Sequence, residues 1–206
     1  RIMVPVDNSP HSDEAVELAS NLAERFRSTV VGFHAYAARL HERRFTQMEP
    51  GLPERYQTPE ELERQRTTHE SLISNGLQII SESYLDHAQE LCREREIPFE
   101  RQMAEGKNYV EVLKEIDRDG YDLVAMGAVG LGAAPRSQIG GVSERVLRST
   151  EIDVALVRKS PPDSSGIMAT VDGSPESFKA VEIALALGAA LEESVEVVSV
   201  FDPEFH

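Results

Sequence analysis

Met126-Gly127-Ala128-Val129-Gly130, with Gly140-Gly141-Val142 after nine intervening residues, decides how this 206-residue chain is read. An apolar run from Tyr121 to Met126 enters the stretch, and a helical pattern from Val142 to Ser149 leaves it. A strand that ends in glycine-rich backbone and leads into a helix N-terminus has two readings. Its exposed N–H groups and the helix dipole suit an anion such as phosphate. As plain punctuation it is a set of structural turns. The spacing fits neither the dinucleotide fingerprint nor the Walker loop, since no Gly-Lys-Ser or Gly-Lys-Thr follows.

Working outward, Ile2 to Val6 is a short apolar run stopped by Asp7-Asn8-Ser9-Pro10, a strand ending in a turn. Ser12 then precedes a helical pattern of Ala15, Val16, Leu18, Ala19, Leu22 and Ala23, and Thr29 to Ala35 reads as a second strand. This is the strand–helix–strand unit of a parallel sheet. Pro5 is awkward inside a central strand and fits its C-terminal end, where open α/β sheets bind ligands. Residues 39 to 58 read as an irregular surface excursion, with Pro50, Pro53 and Pro59 as breakers. From Pro59 a long helical pattern runs to about Arg95, with Ser74-Asn75-Gly76 as a place to bend. Pro98 to Ala104, the helix Tyr109 to Arg118, and the last strand Val154 to Val157 complete an alternating, parallel α/β reading.

A formal net charge of −15 argues against a general nucleic-acid or anionic-membrane surface. It leaves room for a small anion held by local N–H groups. The single cysteine, Cys92, forms no internal disulfide and fits a reducing compartment. No run approaches the roughly 18 apolar residues of a membrane span. Six histidines without ligand spacing give no metal signal, and Ser9, Ser12, Ser137 and Ser143 lie in no nucleophile elbow.

Beyond Lys159 to Ser165, a linker by composition, Gly166 to Val200 repeats Arg1 to Ala35 at a constant offset of 165. Ile167, Met168, Val171, Asp172, Ser174, Pro175 and Ser177 stand for Ile2, Met3, Val6, Asp7, Ser9, Pro10 and Ser12. The copy stops after its second strand, near His206. The expectation is a fragment or one piece of a cleaved or split product, whose two strands and helix lean on something else. Asp7, at the end of the first strand, either meets a ligand's amino group or sugar hydroxyl or caps the following turn. Arg136, inside the glycine-bracketed loop, and Lys107 either approach phosphate or remain exposed cations.

With Gly127, Gly130 and Gly140 in the order Gly-x2-Gly-x9-Gly, an early Val-x-Asp, and the terminal Asp153-Val154-Ala155-Leu156-Val157, the chain resembles the universal stress protein family. The resemblance implies a doubly wound, open, parallel five-stranded sheet of order 3-2-1-4-5 with ATP at the strand ends. One domain would cover residues 1–159, with a helical insertion over about 39–95. A linker at 160–165 and the start of a second domain at 166–206 would follow. Pro5, Val6 and Asp7 would border the adenosine, Ala35 the adenine, and Met126 and Gly127 the ribose and phosphates. Gly130 and Gly140 would shape the loop, and Gly141 with Val142 would offer N–H groups. The departure is Gly141, where nucleotide-binding members usually carry Ser or Thr.

The function implied is a cytoplasmic stress-response or signalling protein in which ATP, AMP or ADP, with Mg²⁺ beside a triphosphate, acts as a structural or regulatory switch with little or no turnover. Its strand edge Val154, Ala155, Leu156 and Val157 would pair with a second copy or a second domain. The alternative is a nucleotide-free dimerisation or interaction module of the same fold.

Overall fold

Strand β1, Ile2–Pro5, starts the sheet and helix α1, Pro10–Phe26, follows it. The turn between them is built by side chains. Ser9 caps α1 by accepting from Ser12 N at 3.1 Å, and Pro10 supplies the first helical residue without wasting an N–H. Arg27 ends the helix in the left-handed region (φ 52), and β2, Val30–Tyr36, pairs in parallel with β1, Ile2 opposite Val30. In the computed structural model, residues 1–132, 134, 136–159 and 165–200 are described. All of the expected 160–165 linker except Ser165, and His206, lie outside them.

Helix α2, Ala38–Met48, two short 3-10 turns and helix α3, Pro59–Arg93, lead to β3, Phe99–Glu105. Helix α4, Asn108–Asp119, β4, Leu123–Gly127, α5, Gly141–Ser149, and β5, Asp153–Val157, complete a five-stranded sheet ordered β3-β2-β1-β4-β5. All its pairings are parallel. Side-chain alternation explains the near-continuous apolar strands. Ile2, Val4 and Val6 pack with α1 and with Leu85, Ala88 and Cys92 of α3. Met3, Val31 and Phe33 pack on the other face with Val112, Ile116 and Val146 of α4 and α5. Each fully buried Val, Leu or Phe is worth about 1.5–3 kcal/mol relative to exposure.

The stretch over 39–58 departs from the expected irregular excursion, because residues 38–48 are helical. Its prolines fall after this segment, whose Arg, Leu, Glu, Gln and Met favour helix. Phe45 stacks on His69 at 4.2 Å, and Arg66 grips Glu49 with two bonds of 2.6 Å, tying α2 to α3. Helix α3 passes through Ser74-Asn75-Gly76 without a break. Its buried residues are Ser81, Leu85, Ala88 and Cys92, so its second half covers the sheet while the first half lies beside α2.

Strand β6, Ile167–Thr170, helix α6, Pro175–Leu191, and strand β7, Val195–Val198, form a separate two-stranded parallel sheet with its helix. The 165-residue repeat extends to individual bonds. Ser177 N donates to Ser174 Oγ at 3.2 Å as Ser12 N does to Ser9, and Val171 N reaches Val198 O at 2.9 Å as Val6 N reaches Phe33 O. Leu187 and Leu191 of α6 pack against the first core, and Arg25 pairs with Glu192 at 3.8 Å.

Candidate functional site

The strand order reverses between β1 and β4, so the loops at their C-terminal ends part and leave a crevice. A cavity of about 340 Å³ lies there, within the roughly 300–1,000 Å³ usual for small-molecule sites. Pro5, Val6 and Asp7 border it from the end of β1, Phe33, His34 and Ala35 from β2, and Met126 and Gly127 from β4. Gly130, Gly132, Gly140, Gly141, Val142 and Ser143 close it from the loop and the start of α5, and Asn108, Val112 and Arg145 complete the wall. The structure thus brings together the sequence positions Pro5, Val6, Asp7, Ala35, Met126, Gly127, Gly130, Gly140, Gly141 and Val142.

Arg136 is not among the residues lining this cavity. The loop turns at Arg136 in the left-handed region (φ 70), and the residue borders a neighbouring cleft with His11, Arg158 and Lys159. Lys107 holds its ammonium 4.9 Å from the centre of the Tyr109 ring, at the start of α4. The edge strand β5 pairs with β4 on one side, and its other side ends the sheet.

The Asp7 carboxylate organises the crevice. It accepts from Ser9 N at 3.1 Å and from Leu131 N at 3.2 Å, which fastens the glycine loop to the end of β1. Packing against backbone demands glycine at 127, and Gly130 sits close against the Asp7 carboxylate. A Cβ on Gly130 would stand 2.3 Å from Asp7 Oδ2, and one on Gly127 would stand 2.9 Å from the backbone of His11 and Ser12. Of the two readings the sequence offered for Asp7, the structure shows the one that caps the following turn, through Ser9 N. Ser143 is buried and donates to Gly127 O at 2.9 Å, so its hydroxyl holds the end of β4 and does not stand in for a side chain at Gly141.

Helices α4 and α5 both begin at this cavity, and neither has a side-chain N-cap bond. Their first N–H groups carry the partial positive charge that favours an anion. The α5 cap is Gly140, which has no side chain to offer. Apolar walls from Phe33, Val112, Met126 and Val142 beside uncapped N–H groups suit a ligand with a flat apolar part and an anionic part.

His34 is the titratable group at the β2 wall. Ser81 Oγ donates to Leu77 O at 2.8 Å, so its remaining contact with His34 Nδ1, also 2.8 Å, places the imidazole proton on Nδ1. The ring meets Tyr84 edge-on at 5.1 Å. Burial pushes the imidazole below its ordinary value, and the Asp7 carboxylate opposes that shift. Sequence reasoning missed His34, Asn108 and Arg145 as cavity residues. The available signals were the helix start after Gly106-Lys107 for Asn108, and the spacing of one helical turn from Gly141 for Arg145.

Among the described residues no helix is long and apolar enough to cross a membrane. A universal stress protein of Methanocaldococcus jannaschii is 25% identical over 161 residues, which cover 77% of this chain and 82% of the relative. A universal stress protein structure from Archaeoglobus fulgidus superposes with a TM-score of 0.67 at 16% identity, over 98% of this chain and 67% of that one. A universal stress protein solved in complex with cAMP superposes with a TM-score of 0.51 at 19% identity, over 77% and 96% of the two chains. Those two likenesses concern the fold. The universal stress protein family as such matches residues 1–158, the stretch that builds the sheet, the glycine loop and the cavity, and the chain belongs to that family.

Proposed function

We propose that the crevice between β1 and β4 binds an adenine nucleotide, ATP or its relatives AMP and ADP, and that occupancy acts as a structural or regulatory switch in stress response or signalling. The observation that carries this reading is the cavity itself, which joins an apolar wall to two uncapped helix N-termini at the point where strand order reverses. The cAMP complex of a relative of the same fold supports a nucleotide as the ligand class.

In this reading the base would lie against the apolar wall that includes Phe33, Ala35 and Val112, and the phosphates would face Gly130, Gly140, Gly141 and Val142. Mg²⁺ would accompany a bound triphosphate and neutralise part of its charge, and Asp7 is the carboxylate at the cavity that would face it. Among the described residues no cluster of three or more His, Cys, Asp or Glu could hold a metal without the ligand. Slow or absent turnover is supported by the Asp7 carboxylate being already engaged by Ser9 N and Leu131 N. The protein works in the cytoplasm.

The unit β6–α6–β7 is the opening of a second domain of the same kind, an assignment supported by the bond-for-bond repeat. The open side of β5 pairs with a second copy of the chain or with a second domain. Calorimetric titration with ATP and AMP, with and without Mg²⁺, tests the ligand. Saturable binding that weakens at least tenfold in a folded Asp7→Ala variant is the expected result. No heat from a folded, nucleotide-free protein, checked by equilibrium dialysis, overturns the reading in favour of a nucleotide-free interaction module.

A further inference from the structure

Arg145 borders the cavity one helical turn after Gly141, and its Nη1 donates to Gly141 O at 3.2 Å. Its guanidinium carbon lies 5.0 Å from the centre of the Tyr109 ring, and Lys107 Nζ lies 4.9 Å from the same centre. Two cations thus share one aromatic support between the starts of α4 and α5. Neither forms an ion pair with a carboxylate among the described residues, although the chain carries 36 Asp and Glu against 21 Lys and Arg. An anion placed beside either cation gains a favourable charge interaction. Gly141 lies beside the guanidinium without crowding it, since even a Cβ there would meet Arg145 Nη1 in ordinary contact at 3.5 Å.

We propose that Arg145, steadied by Tyr109 and reinforced by Lys107, reads the phosphate chain of the bound nucleotide and supplies the contact that a side chain at Gly141 cannot. The inference rests on the nucleotide reading of the same cavity and adds the residue that separates a nucleotide from its nucleoside. A guanidinium presents paired N–H donors to phosphate oxygens, and its charge acts locally against the acidic background of the chain. The aromatic face limits the side chain's freedom, so less rotamer entropy is lost on binding.

The test compares adenosine with ADP on the full chain by calorimetry, for the wild type, Arg145→Gln and Arg145→Lys, at two salt concentrations. Arg145 is exposed, and thermal melts check that the variants fold. Arg145→Gln weakens ADP about tenfold or more, leaves adenosine within twofold, and lowers the salt dependence of ADP binding. Arg145→Lys recovers part of the loss. Equal weakening of ADP and adenosine, or of neither, overturns the role of Arg145 while leaving nucleotide binding intact. Failure of the wild type to bind either ligand instead overturns the nucleotide reading, and this inference with it.

Discussion

Adding one methyl group at Gly127 should destabilise the protein, whereas adding one at Gly132 should not, although both residues border the same cavity. The Gly127 Cβ would lie 2.9 Å from His11 C and Ser12 N, which are backbone atoms of the first turn of α1. Rigid backbone cannot swing away as a flexible side chain can. At Gly132 no atom of the described residues stands within 4 Å, and φ lies outside the left-handed region. Overpacking of this kind costs about 1–3 kcal/mol. With roughly 2–4 °C per kcal/mol in a chain of this size, Gly127→Ala should lower Tm by about 2–12 °C. Gly132→Ala should be neutral or slightly stabilising, because alanine restricts the unfolded chain. Differential scanning calorimetry of the two variants at one protein concentration reads the difference. Equal Tm values would refute the claim that the glycine at the end of β4 exists to admit α1, and would return that role to the ligand.

Two further outcomes concern protonation. Burial holds the His34 imidazole below its ordinary 6.5, so the unfolded chain binds the extra proton first and the fold loses stability as pH falls below about 6.5. His34→Gln should flatten that part of the stability profile in urea titrations at successive pH values; an unchanged slope contradicts the assignment. Asp172 is held down to about 2 from 3.8 by the Ser174 hydroxyl, then the Ser174 N–H and the Ser177 hydroxyl. Its depressed value gives stability that is present above pH 3.8 and lost as pH falls through about 2. Carboxyl NMR should show that midpoint and an upward move in Ser174→Ala, whereas a wild-type midpoint near 3.8 would contradict it.

What sequence could reveal followed from local rules. Ile2 to Val6 and Tyr121 to Met126 are apolar runs closed by turn residues, so both strands and the crevice at their ends were legible. The repeat was equally plain, and the structure adds a detail beneath it. Asn8 (φ 58) and Gly173 (φ 88) fill equivalent left-handed positions, each by one of the residue types that tolerate them. The helix Ala38–Met48 was hidden by the prolines that follow it, since the breakers at Pro50 and Pro53 coloured the whole segment. His34 owes its environment to Ser81, 47 residues away, and Arg145 owes its support to Tyr109 on another helix. No period or spacing encodes such neighbours. Arg136 was judged by its place in the loop, but a left-handed turn at that residue carries the chain along a different cleft.

The clasp between Asp7 and the glycine loop also governs how this sequence can drift. A Cβ at position 130 would stand 2.3 Å from Asp7 Oδ2, so a replacement there requires the carboxylate to shift. Shortening residue 7 opens that space but releases Leu131 N from its 3.2 Å bond. Positions 7 and 130 lie far apart in the chain, yet a change at either is felt at the other through one carboxylate.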